Sequence, residues 1–171
     1  MATYTSSPRN GYILRLITEV LEKDPTNNRT KMKATLYIVT PRNHRFEARS
    51  TGDLYIGSTK LWSMSNTTFT ALKLNTAYLL GGGEAWVTHD GSGRGSASIK
   101  GTFKTETQGM SWSVPPLTVT VNIELETLVR GPVVRHEGSW KPTNFFVKFD
   151  GEWRKAVIFY KSNGVWRGAG G

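Results

Sequence analysis

No cysteine occurs in the 171 residues of this chain. Disulfides, thiolate nucleophiles and cysteine-ligated zinc or iron–sulfur centres are therefore excluded. Histidine is scarce: His44, His89 and His136 stand at no spacing that lets two of them share a metal. No metal and no cofactor is expected. Long apolar runs are missing as well. Stretches such as Ala77–Leu80 fall far short of the roughly 20 residues of a membrane helix. The opening, Met1–Tyr12, has no basic segment followed by an apolar one, so neither membrane insertion nor a secretory signal is expected. No run of five basic residues occurs. Nucleic acid is disfavoured on that ground, despite a net charge of +9.

What is present describes a chain with a core. Hydrophobic residues make up 37% and charged residues 20%, which sets the chain apart from disordered sequences. The length fits one domain, or one domain with a small appendage, and suffices for a core without staples. The charge is uneven. Residues 1–130 carry 15 basic and 10 acidic side chains, residues 131–171 carry 7 and 3. The C-terminal quarter thus holds nearly half of the excess, which suits an anionic polymer or an acidic protein neighbour.

The apolar pattern has period two. Val119, Val121, Ile123 and Leu125 alternate with Thr118, Thr120, Asn122 and Glu124, as in a strand with one wet face. Met32, Ala34, Leu36 and Ile38 do the same. Further strands are expected at Arg45–Arg49, Asp53–Trp62, Thr67–Leu72, Ala85–His89, Ser96–Thr105 and Met110–Ser113. Turn clusters separate them at Asp24-Pro25, Asn27-Asn28, Pro41–Asn43, Thr51–Asp53, Gly81–Gly83, Asp90–Gly93, Gln108-Gly109 and Pro115-Pro116. Many short strands at this spacing indicate a β-sandwich or barrel. The segment Tyr12–Lys23 admits two readings. Ile13, Leu16, Ile17, Val20 and Leu21 fit one face of an amphipathic helix, against Arg15, Thr18, Glu19 and Glu22. The β-branched content, and a hairpin-like run into the next strand, favour a strand.

The strongest internal signal is a repeat. Gly138-Ser-Trp140-Lys141, Gly151-Glu-Trp153-Arg154 and Gly164-Val-Trp166-Arg167 recur every 13 residues. Upstream, Arg135, Lys148 and Lys161 fall in one column. Asp150-Gly151 and Asn163-Gly164 are favoured two-residue hairpin turns, because both central residues need positive φ. Glu137-Gly138 is a poorer pair, which marks the first unit as modified or as a lead-in. The units read as β-hairpins with tryptophan on one face and cations close enough to cover an indole. A single hairpin is marginal in water, so the tryptophans need a partner. Burial or stacking between units is one use of them, and an aromatic platform for sugars or a docking surface is the other. The candidate contact residues are Trp140, Trp153 and Trp166 with Arg135, Lys148, Lys161, Lys141, Arg154 and Arg167.

Catalytic patterns are weak. Glu84, Asp90, Glu124 and Glu126 contain no pair singled out to converge, as a glycosidase needs. His89-Asp90 reads as the lead into an Asp-Gly turn. Gly81–Gly83 lacks the Lys-Ser/Thr and helix of a phosphate loop, and Gly91, Gly93 and Gly95 lack a βαβ setting. Both glycine groups are expected to be loops, and the protein is expected not to be an enzyme.

The segment Val87-Thr-His-Asp-Gly-Ser-Gly-Arg-Gly-Ser-Ala-Ser-Ile-Lys-Gly-Thr-Phe103 resembles the strand–turn–strand element of β-sandwich modules in tail proteins of long-tailed, siphovirus-type bacteriophages. Here the histidine stands directly before Asp90-Gly91. Asn10–Val20 with Asn27–Val39 is similar to the first hairpin of those modules, and the G-x-W-K/R tail resembles the C-termini of phage tail and baseplate proteins. The resemblance implies a non-enzymatic virion component, a minor tail protein concerned with tail assembly or decoration and with host attachment. It implies other virion proteins as partners and a virion location, on the tail in preference to the capsid. It transfers no catalytic residue.

The expected architecture is all-β: a jelly-roll or immunoglobulin-like antiparallel sandwich over residues 1–130, then a small hairpin-repeat appendage over residues 131–171. A capsid decoration or head-fibre protein is the first alternative. A stand-alone module that binds cell-wall polysaccharide is the second. Self-association fits the exposed strand edges.

Overall fold

Alternating apolar residues become strands because period two places every second side chain on one face. A computed structural model describes residues 1–41, 46–71, 75–91, 93–106, 113–128, 133–137, 139–142, 145–156, 158–162 and 164–169. Eight strands come first: β1 (Ala2–Thr5), β2 (Ile13–Asp24), β3 (Arg29–Val39), β4 (Phe46–Ile56), β5 (Thr59–Ala71), β6 (Ala77–Thr88), β7 (Gly95–Thr105) and β8 (Leu117–Leu125). They form two four-stranded sheets, in the orders β1-β2-β3-β6 and β5-β4-β7-β8, with every pairing antiparallel. Six short strands follow: β9 (Val133–His136), β10 (Ser139–Pro142), β11 (Phe145–Phe149), β12 (Glu152–Ala156), β13 (Ile158–Ser162) and β14 (Val165–Ala169). These pair as three separate ribbons. The all-β sandwich with a hairpin appendage is thus the architecture of the chain.

The core lies between the sheets. Leu14, Leu16, Met32, Ala34, Leu36 and Ile38 face Leu54, Ile56, Ala97, Ile99, Phe103, Leu117 and Val119, all buried. Each buried aliphatic side chain contributes about 1.5–3 kcal/mol of transfer free energy. The segment with two readings is strand β2. Leu14, Leu16 and Thr18 point inward, whereas Val20 and Leu21 of the helical alternative are 45% and 41% exposed. Pairing with β3 along the whole element decides it. The turn that closes this hairpin is tied by Asp24, whose carboxylate accepts from the Asn27 backbone N–H at 3.0 Å and from Arg29 Nε at 2.9 Å.

Several expected boundaries are corrected. Gly81–Gly83 is no loop; it lies inside β6. A Cβ on Gly81 would stand 2.2 Å from Cδ1 of Trp62, so the bare backbone makes room for the indole where β5 and β6 approach. The turn expected at Thr51–Asp53 is the interior of β4, where the register shifts between Ser50 and Gly52. The strand expected at Asp53–Trp62 breaks at Gly57, with φ 56°, into the hairpin of β4 and β5. The turn expected at Asp90–Gly93 is present, with the Gly93 N–H donating to the Asp90 carbonyl at 3.0 Å, and it carries the chain from β6 in one sheet to β7 in the other; Gly95, expected in the loop, begins β7. Gln108-Gly109 and most of the strand expected at Met110–Ser113 lie outside the described residues, and Ser113 precedes β8 in no strand.

Aromatic contacts close the side of the sandwich formed by β5 and β6. Phe69 meets Tyr78 edge-on at 6.1 Å and Phe103 at 5.7 Å. At the sheet interface, a Cβ on Gly101 would stand 2.6 Å from Leu36 Cδ1. Tyr12 is fully buried at the start of β2, and burial pushes its phenol up to about 12.

Two outcomes follow from this packing. Gly81→Ala is expected to lower unfolding stability by about 1–3 kcal/mol, because the indole must shift. Gly91→Ala, where nothing lies within 4 Å, should stay within about 0.5 kcal/mol of the parent in the same urea titration. Equal effects at both sites would refute this account of Gly81. For Tyr12 the folded pKa lies above the unfolded one. Its contribution is therefore complete below the unfolded value of 10.0 and lost as pH rises through about 12. Tyr12→Phe should remove that part of the alkaline loss in melts recorded across this window, and an unchanged alkaline limb would refute it.

Candidate interaction surface

The ribbons are built by their turns. Asp150 and Gly151 have φ of 49° and 82°, the doubly left-handed pair of a type I′ turn. Gly164 has φ 80° in the third unit, and Asn163 lies outside the described residues. The first unit also closes as a hairpin, with Glu137 at φ 50° although glutamate is a poor turn former.

Register sorts the candidate residues into two groups. Trp140 stands directly opposite Arg135, Trp153 opposite Lys148 and Trp166 opposite Lys161. Directly opposed residues share a face. Lys141, Arg154 and Arg167 follow the tryptophans by one residue and oppose Val134, Val147 and Tyr160. They therefore occupy the other face. The six cations, read from the sequence as one set around the tryptophans, divide evenly between the two faces.

Side chains of the middle ribbon show the consequence. Trp153 is 70% exposed, and Phe146 on the same face is 56% exposed. On the opposite face the Arg154 guanidinium lies 5.5 Å from the Phe149 ring centroid, and 3.5 Å from Glu152 Oε2. The expected cation over an indole is replaced in this ribbon by a cation over phenylalanine, because Arg154 and Trp153 point to opposite sides. Phe149 and Val147 on that face are also more than half exposed. The sequence reading missed these phenylalanines. Phe145-Phe146-Val147 breaks period two with apolar residues on both faces, and that was the available signal.

The sandwich holds other features. A groove of about 660 Å³ is lined by Val20, Lys23, Thr30, Ile123, Glu124, Leu125 and Glu126. Lys23 and Glu126 are ion-paired across it, which holds the Glu126 carboxyl below its ordinary range. Glu84 is held low in the same way, by Lys31 at 2.7 Å. Asp90 and Glu124 border one shallow depression together with Arg94. Asp90 is engaged in closing its own loop, since its Oδ1 accepts from the Arg94 backbone N–H at 2.9 Å. Among the described residues no group of three or more His, Asp or Glu is placed to hold a metal, and no helix is long and apolar enough to cross a membrane. His44 lies outside the described residues.

His89 is buried as a structural tie. Its Nδ1 stands 2.7 Å from the Gly93 carbonyl and its Nε2 2.9 Å from Thr30 Oγ1. A carbonyl only accepts, so Nδ1 carries the proton in that bond. Asn28 completes the tie: its Nδ2 donates to the carbonyls of His89 and Asp90 at 2.9 and 2.7 Å. The His-Asp-Gly element thus pins the crossing between the sheets to the β2–β3 turn. Comparison of the chain with models of known families, with curated proteins and with solved structures gives no match.

Replacing His89 by Ala should cost about 2–4 kcal/mol of unfolding stability, from the cavity and the buried partners left without a bond. A urea midpoint within error of the parent would refute the tie.

Proposed function

We propose that the chain is a non-enzymatic structural protein of a bacteriophage particle, a minor tail protein. The sandwich acts as a rigid carrier and the ribbons make the contacts. One observation carries this reading. The middle ribbon, a lone two-stranded sheet, exposes Phe146, Val147, Phe149 and Trp153, each by more than half. An apolar ribbon of this kind is marginal by itself and gains stability when another surface covers it. Repetition in the chain, and again over many copies on a particle, turns weak contacts into firm attachment. The similarity of the His89-Asp90-Gly91 element and of the G-x-W-K/R tail to phage tail proteins supports the address.

The exposed indole of Trp153 also suits stacking on a pyranose ring, which supports a role in host-surface attachment. The test is immunogold labelling of the particles made by the genome that encodes the chain. Label on the tail is expected. Label on the capsid would move the chain to head decoration, and unlabelled particles would end the virion reading. Particles carrying the triple substitution Trp140→Ala, Trp153→Ala and Trp166→Ala should lose at least about tenfold of this label, with the melting of the sandwich unchanged. Undiminished label would remove the ribbons from assembly.

A further inference from the structure

The two faces of the middle ribbon differ in charge, because the tryptophan face carries Lys148 and Lys155 and the other carries Arg154 with Glu152. In β11–β12 the tryptophan face consists of Phe146, Lys148, Trp153 and Lys155, with no acidic residue. Register gives the other units the same tryptophan–cation pair, again without a carboxylate on that face of the strands: Val133, Arg135, Trp140 and Pro142 in the first, Phe159, Lys161, Trp166 and Gly168 in the third. The single carboxylate of a paired strand, Glu152, belongs to the opposite face, where Arg154 already contacts it and Phe149. Among the described residues no ion pair or hydrogen bond engages Lys148, which stands across from an indole that is 70% exposed.

We propose that the tryptophan faces, each with a tryptophan opposite a cation, form three related subsites for an anionic glycan, a polymer of sugar rings bearing one negative charge per unit. The indole stacks on the apolar face of a ring. The cation opposite it pairs with the carboxylate or phosphate of the same or the adjacent unit. Three subsites in one chain bind by avidity, so the polymer is held far more tightly than one of its sugars. The other basic column, Lys141, Arg154 and Arg167, takes no part, because it faces away. This inference rests on the reading of the ribbons as the contact surface. It does not need the virion address: unlabelled particles would end that address and leave glycan binding by the purified chain untouched.

The test uses the purified full chain and three immobilised polymers in calorimetry or interferometry. Polygalacturonate carries a carboxylate on every ring, dextran has rings without charge, and polyphosphate has charge without rings. Binding to polygalacturonate should be at least about tenfold tighter than to either control. Lys148→Gln should weaken it roughly three- to tenfold and Arg154→Gln less than about twofold. The column variant Arg135→Gln, Lys148→Gln and Lys161→Gln should lose about 30-fold or more. Lys141→Gln, Arg154→Gln and Arg167→Gln, with the same change in net charge, should lose less than about threefold. Trp153→Ala should weaken binding without lowering the melting temperature.

Equal losses from the two column variants would overturn the proposal in favour of bulk charge. Polyphosphate bound as tightly as polygalacturonate would do the same. So would absence of binding to all three polymers, or a chain that self-associates through the ribbons and becomes monomeric on Trp153→Ala without any glycan affinity.

Discussion

The two sheets approach closely where the Leu36 side chain lies over the bare backbone of Gly101. Sheets that pack face to face stand about 10 Å apart. At that spacing the inward side chains of β2 and β3 can interdigitate with those of β4, β7 and β8. The same close approach recurs at the side of the sandwich, where Trp62 fills the space left by Gly81. A methyl group at Gly81 would force the Trp62 indole to move, and one at Gly101 would displace the end of the Leu36 side chain. Close packing of this kind transmits local shifts through the whole core. The buried positions of β2, β3, β4 and β7 are therefore mutually dependent, and the polar ties at the periphery operate on a body already held together.

Those ties secure the ends of the sandwich. His89 and Asn28 join the crossing between β6 and β7 to the first hairpin. Surface ion pairs such as Lys31–Glu84 add little, because each is solvated and screened. The contrast with the ribbons is sharp. They have two strands each and no opposing sheet within themselves, and in the middle ribbon Phe146, Val147, Phe149 and Trp153 stay in water. The same residue types that build a core in the sandwich become a surface in the middle ribbon, because nothing within it covers either face.

Much of the fold was legible in the sequence. The alternation in Met32–Ile38 and Val119–Leu125 specified half-buried strands directly, since period two has a single geometric meaning. The Asp-Gly turn and the 13-residue repeat specified hairpins. Errors arose where glycine was read as a turn. Gly52 and Gly81–Gly83 are strand residues whose missing side chains matter to Trp62 and to neighbouring strands. Turn glycine and packing glycine look alike in one dimension. They differ only in what approaches them. Tyr12–Lys23 was ambiguous for a related reason: its leucines and isoleucines fit a period of 3.6 as well as one of two, and pairing with β3 removed the ambiguity.

The candidate surface was legible in its parts. The sequence alone determined which residues repeat, at what interval, and that each tryptophan follows a turn glycine by two positions. It also determined the charge of the C-terminal quarter, because covalent order and composition need no folding. Tertiary structure decided which cation shares a face with which ring. The type I′ turn sets the register, and register assigns Lys148 to Trp153 and Arg154 to Phe149. Exposure was likewise a matter of the fold. Whether a tryptophan is core or surface depends on whether a second layer lies over it, and that is a property of the assembled chain and of nothing local.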